Sequence, residues 1–169
     1  PFGNPFKSLK DFTAVELAAH FINALMERSA INRNKVTDVV LGNVVASGLG
    51  QNLARQASVL AGLSNDTSSF VVNNVCAAGM QSIIVLANAM VAGSSSLAIA
   101  GGSESVTRNH FIVERDIVVD GKEPVFVDSL QRDGLTCAIT GKNMGQLAQM
   151  LAFENNIFRE DQDMYALMS

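Results

Sequence analysis

Histidine is nearly missing from this chain of 169 residues, which has only His20 and His110. No group of His, Cys, Asp and Glu has the spacing of metal ligands, so no metal site is expected. Cysteine is equally sparse. Cys76 and Cys137 stand far apart in unlike surroundings, which argues against a disulfide scaffold and for a reducing compartment. Basic residues are in the minority, 12 Lys and Arg against 16 Asp and Glu. With a net charge of −4 and no dense basic cluster, nucleic acid is not an expected partner. No run of about 20 apolar residues occurs, so no membrane span is expected. A basic-then-apolar leader is also not visible, although the chain opens on Pro1 rather than methionine, which leaves room for a preceding segment.

What the chain does have is apolar residues, 48% of the total against 17% charged. That balance argues for a sizeable core, and for apolar surface covered by a partner subunit or by further chain. The first element is expected as a helix from Thr13 to Arg28. Thr13 and Glu16 form a capping-box pair, and Val15, Ala18, Ile22 and Leu25 recur at helical spacing. Val39-Val40-Leu41 with Val44-Val45 reads as a buried strand, and Asn52 to Leu60 as a helix closed by Gly62. Phe70-Val71-Val72 is a second strand. From Cys76 a helix presents Met80, Ile83, Ile84, Ala87 and Val91 on one face and ends at Gly93. Ser96 to Ala100 is a third strand, terminated by Gly101-Gly102. This alternation predicts an α/β fold with a mostly parallel sheet and flanking helices. After Thr107 the texture turns charged and irregular, with Ile117-Val118-Val119 and Val125-Phe126-Val127 as short strand candidates. Helices are expected again from Asn143 to Phe153 and from Glu160 onward.

The chemistry is expected at Cys76, where a buried strand hands over to a helix. Unpaired N–H groups and the positive end of the helix dipole favour a thiolate there. Ala77, Ala78 and Gly79 leave room for a substrate to approach. The arrangement is similar to a nucleophile elbow with sulfur in place of oxygen, although a lone cysteine in an apolar stretch is more often a small core residue. A base is hard to find. His20 falls opposite the apolar stripe of its helix, the position of a solvated residue. His110 stands just past a strand end, where it could line a cleft but reads more simply as a loop residue. Asn73 and Asn74 are candidates to orient the turn, or to cap the strand end.

The stretch Val72-Asn73-Asn74-Val75-Cys76-Ala77-Ala78-Gly79-Met80 resembles the acyl-enzyme signature of thiolases. Other collinear stretches are similar to the same family. They are Pro1-Phe2-Gly3 with Ser8-Leu9-Lys10-Asp11, Gly50 to Ala57, Ala100-Gly101-Gly102-Ser103-Glu104-Ser105, Asp133 to Thr136, Met144-Gly145 and Arg159 to Ala166.

The resemblance implies a layered thiolase-like α/β core over residues 1–106, lacking the family's first strand, and the beginning of an inserted loop domain over 107–169. It further implies an acyl-CoA C-acyltransferase that forms or cleaves 3-ketoacyl-CoA through a thioester on Cys76. Acyl-CoA and CoA are the implied substrates, with no metal or other cofactor. The implied protein is a homodimer or homotetramer, cytoplasmic or in a mitochondrial or peroxisomal matrix. Asn143 and Met144 are the implied substrate contacts; Asn143 stands where some family members carry histidine, and it can hydrogen-bond pantetheine but cannot act as an imidazole. Cys137 is expected to be structural. The family's base-bearing motifs are absent from these residues, so the segment alone is expected to lack turnover. The alternatives are a ketoacyl-synthase-like condensing enzyme, against which the Ala54-Arg55-Gln56 box argues, and a non-catalytic acyl-CoA or lipid-binding protein, in which Cys76 would have no use.

Overall fold

The computed structural model describes residues 3–169; the Pro1-Phe2 part of the motif above lies outside them. Two compact units divide at Leu130 and Gln131. In the first, α1 (Ala14–Ser29) starts at the expected capping box: Glu16 N–H donates to Thr13 Oγ1 at 3.2 Å and Thr13 N–H to Glu16 Oε2 at 2.8 Å. Its buried stripe is Ala14, Val15, Ala18, Ala19, Ile22 and Met26. Leu25, expected in that stripe, is exposed, because Met26 takes the position one residue round the helix.

Strands β1 (Asp38–Gly42), β2 (Ser68–Val72) and β3 (Ala98–Gly102) form a parallel sheet in the order β2-β1-β3. Helix α2 (Leu53–Leu60) connects β1 to β2, and α3 (Ala78–Val91) connects β2 to β3 across β1. The two crossovers run in opposite directions along the sheet, so a common right-handed twist sends their helices to opposite faces. Side-chain alternation agrees. Val39, Leu41 and Ile99 join the core with α1 and α2, whereas Gly42 and Gly102 face the start of α3. Val44 and Val45, expected to prolong the first strand, lie beyond β1. Gly101 and Gly102, expected to end the third, are its last two residues.

The helix after Cys76 differs from expectation in two ways. It begins at Ala78, with Ala77 as its N-cap. Its buried residues are Ala78, Ser82 and Leu86, while Met80, Ile83, Ile84 and Val91 are exposed. The helix carries no charge and is apolar on most sides, so periodicity could not select the packing face. At the start of the helix the small residues Ala78 and Ser82 face the sheet, because they let it sit close on glycine-ended strands.

Residues 107–130, expected to part from the core, stay in the first unit. Strands β4 (Phe111–Ile112) and β5 (Val127–Asp128) pair antiparallel, and Ser129 Oγ donates to His110 O at 2.5 Å. Between them Ile117-Val118-Val119 belongs not to a strand but to α4 (Arg115–Val119). The second unit holds α5 (Met144–Glu154) and α6 (Arg159–Met168). Among the described residues no helix is long and apolar enough to cross a membrane.

Candidate active site

Where β1, β2 and β3 end in register, at Gly42, Val72 and Gly102, three loops leave the same edge of the sheet. The carboxyl edge of a parallel sheet is where α/β proteins place their ligands. The loop after β2 carries Asn73, Asn74, Val75 and Cys76. Cys76 is exposed and free, two residues ahead of α3.

Val75 directs it there. Its φ of 45° lies in the left-handed region, where a β-branched side chain is strained by about 1–3 kcal/mol. Asn73 holds it, its Oδ1 accepting Val75 N–H at 3.0 Å. The Asn73 amide also donates to Val44 O at 3.0 Å, which ties the cysteine turn to the loop after β1. Of the two asparagines, Asn73 thus orients the turn. Asn74 contributes its carbonyl to Ala77 N–H at 3.0 Å. A strained, well-held turn between strand and helix is the mark of an elbow. Of the N–H groups expected to be unpaired at the head of α3, those of Ala77 and Ala78 are taken within the turn by Asn74 O and Val75 O, at 3.0 and 2.9 Å.

The start of α3 sits almost on the strands beneath it. A Cβ on Gly42 would lie 2.3 Å from Ala78 C and 2.5 Å from Gly79 N, and one on Gly102 would lie 3.4 Å from Gly79 Cα. Only glycine permits this approach at Gly42. Buried Ser82 fastens the helix, its Oγ 2.9 Å from Gly101 O and accepting Gly101 N–H at 3.1 Å.

Behind the turn lies a carboxylate to which the sequence reading gave no role. Glu104 Oε2 accepts Val44 N–H at 2.9 Å, Val45 N–H at 3.2 Å and the Asn43 amide at 3.2 Å. Burial pushes its carboxyl above the usual range, and the hydrogen bonds from Val44, Val45 and Asn43 offset this only in part. A usable signal was present: Glu104 is the only charged residue between Asp66 and Arg108, and a charge kept in such an apolar stretch needs partners.

His110 packs against Gly48, where an added Cβ would come within 2.4 Å of its Nδ1. It is exposed, as is His20 on α1. In the second unit Asn143 caps α5, its Oδ1 accepting Gln146 N–H at 2.8 Å, while Met144 opens the helix and is exposed. Cys137 stands in a short loop of that unit, where hydrogen bonds from the Thr140 hydroxyl and the Thr140 and Ile139 N–H groups hold its thiol below the usual range. Among the described residues no group of three His, Cys, Asp or Glu side chains could hold a metal ion.

The family model for the N-terminal domain of thiolase matches residues 1–169. Among similar proteins, an acetyl-CoA acetyltransferase of Escherichia coli is 39% identical over 165 residues, covering 96% of this chain and 42% of that protein. One from Schizosaccharomyces pombe is 37% identical over 169 residues, with 99% and 42% covered. Among solved structures, a thiolase from Ascaris suum in complex with coenzyme A matches with a TM-score of 0.91 at 32% identity, over 98% of this chain and 43% of that one. The chain belongs to the thiolase family and spans about 42% of the length of the curated relatives it matches.

Proposed function

We propose that this chain is the acyl-accepting part of an acyl-CoA C-acyltransferase, with Cys76 as the nucleophile. One feature carries the reading: an exposed thiol ahead of a helix, aimed by a strained Val75 at the carboxyl edge of the sheet. In this scheme the Cys76 thiolate attacks the carbonyl carbon of an acyl-CoA. A carbon–sulfur bond to Cys76 forms, the bond to the CoA sulfur breaks, and CoA leaves as its thiolate. In synthesis a second acyl-CoA, having lost an α-proton, attacks the acyl-cysteine and releases Cys76. In the degradative direction the Cys76 thiolate instead attacks the keto carbon of a 3-ketoacyl-CoA. The carbon–sulfur bond to Cys76 forms as the bond from that carbon to the α-carbon breaks, and acetyl-CoA leaves as its α-carbanion and takes up a proton. The thiol of CoA then takes the acyl group and releases Cys76.

The base for the α-proton is proposed to come from the remainder of the protein. Asn143 and Met144 are proposed contacts to the pantetheine arm of CoA, and no cofactor beyond CoA is proposed. Names of relatives and a neighbour solved with coenzyme A support CoA thioesters as the substrates. A homodimer or homotetramer in a reducing compartment, cytoplasmic or of an organelle matrix, completes the proposal. Free Cys76 and Cys137 suit that setting, and the bare apolar face of α3 suits an element that other chain covers.

The test is to incubate the full-length protein with acetyl-CoA and map the thioester by mass spectrometry. Acetyl on Cys76 is expected. Acetyl on Cys137 with none on Cys76 would refute the assignment.

A further inference from the structure

We infer that Glu104 is a positioning residue for the acyl-transfer step, setting the direction of Cys76 through Val44, Asn73 and Val75. The inference rests on the functional reading above and names the part that holds its nucleophile in place.

The connection can be followed bond by bond. Glu104 stands two residues past β3, at the exit of an edge strand. Its Oε2 takes two consecutive backbone N–H groups, Val44 and Val45, and the side chain of Asn43. Consecutive N–H groups turned to one point form a nest suited to an anion. The loop leaving β1 is therefore pinned to the loop leaving β3. Val44, held at its N–H by Glu104, offers its carbonyl to Asn73 at 3.0 Å. Asn73 in turn takes Val75 N–H at 3.0 Å and keeps that residue at a φ of 45°. The next residue is Cys76. Left without this support, Val75 would relax toward negative φ, because a β-branched side chain is disfavoured in the left-handed region. That rotation would swing Cys76 away from the head of α3.

Glu104 is well placed for this work because it is not itself part of the turn. Asn43 beside it is buried and also donates to Ser103 O at 3.0 Å, so carboxylate and nest are joined twice. The strand ends on either side are fixed by the sheet register. Ser103 and Ser105, the neighbours of Glu104, donate to Ala14 O and Phe12 O, each at 2.7 Å, which anchors this loop to the start of α1.

The experiment uses the full-length protein with Glu104→Ala, Glu104→Gln, Asn73→Ala and Cys76→Ala, each checked for folding by thermal melting. For Glu104→Ala, kcat is expected to fall by about a hundredfold, the scale of a misplacement of about 1 Å, with KM for acyl-CoA little changed. The rate of Cys76 alkylation by iodoacetamide at fixed pH is expected to change as well, which a loss of thermal stability alone would not cause. Gln keeps an oxygen for the Val44 and Val45 N–H groups and is expected to restore most of kcat. Asn73→Ala, at an exposed residue, breaks the same connection and carries the same prediction even if Glu104→Ala fails to fold. Where both fold, the double variant is expected to lose little beyond the worse single. Unchanged kcat in Glu104→Ala, or in Asn73→Ala if that is the variant that folds, would overturn the inference while leaving Cys76 in its role. Strictly additive losses, or a Gln variant as impaired as Ala, would also overturn it. Transfer that survives Cys76→Ala would defeat the functional reading instead.

Discussion

The turn that carries Cys76 is held by residues drawn from the ends of three strands, with partners such as Glu104 and Val44 lying 60 positions apart in the chain. The turn that carries Cys137 closes on itself. Cys137 N–H donates to Lys142 O at 2.9 Å and Gly141 N–H to Cys137 O at 2.8 Å, and Thr136 bridges to Asn143 within the same few residues. One thiol is aimed by a distant scaffold through a strained neighbour; the other is surrounded by its own loop. The hydrogen bonds that hold the Cys137 thiol below its ordinary range are local. Under the proposed function, the difference separates a thiol placed for transfer from one merely softened toward thiolate. Placement over the edge of a sheet requires tertiary contacts that no short loop can supply.

The contrast breaks most sharply at the sulfurs themselves. In the full-length protein Cys76→Ala is expected to abolish acyl transfer, whereas Cys137→Ala is expected to leave it within about twofold, the size of a change that removes no transition-state contact. Equal losses would erase the distinction. Next in size is Gly42→Ala. The added methyl meets the backbone of Ala78 and Gly79 rather than a movable side chain, so a destabilisation of about 3 kcal/mol or more is expected in chemical denaturation. In the Cys137 loop a Cβ on Gly141 would meet nothing within 4 Å, so a substitution there would meet only the strain of its left-handed φ of 68°.

Val75→Gly sharpens the comparison by separating stability from activity. It removes left-handed strain at a half-exposed position, so stability is expected to stay level or rise by up to about 1 kcal/mol. Turnover is expected to fall on the order of tenfold as the elbow loosens. A variant that gains stability with no loss of rate would show that the strain has no role in placing Cys76. The smallest effect is expected at Thr140. Its hydroxyl bonds to Cys137 favour the charged thiolate and lower the pKa. Thr140→Val removes that bond, so the pH midpoint for alkylation of Cys137 is expected to rise, with turnover unchanged. A midpoint that stays in place would point to the backbone N–H groups of Ile139 and Thr140 as sufficient.

Much of the first unit was legible where the cause is local. The Thr13 and Glu16 capping box, the left-handed Gly93 that ends α3, and the β-branched runs of β1 and β2 all act within a few residues. Local signals also misled. Ile117-Val118-Val119 looks like a strand by side-chain type, yet Gly121 N–H reaches Val118 O and Lys122 N–H reaches Ile117 O, the closure of a short helix on a left-handed glycine. The Asp120-Gly121 pair was the overlooked sign. Asn143 and Gln146 form a capping box as plain as that at Thr13, at the residue where the sequence places the start of that helix. At the site, Cys76 and Asn73 were within reach of the sequence because they share one loop. Glu104 stood out as a lone charge in an apolar stretch and as part of a family motif, but its role was not legible, since its partners sit on another strand's exit.

By itself the sequence determined the alternation of strands and helices, the family, and the cysteine at a strand-to-helix junction. These depend on spacing, capping and composition, which are properties of neighbouring residues. Only the tertiary structure decided which face of α3 packs, because a helix apolar on most sides has no periodicity that distinguishes them, and the choice fell to the glycines at the ends of β1 and β3. It also decided that Glu104 lies behind the Cys76 turn, because a parallel sheet brings the ends of β1, β2 and β3 into register however far apart they are along the chain.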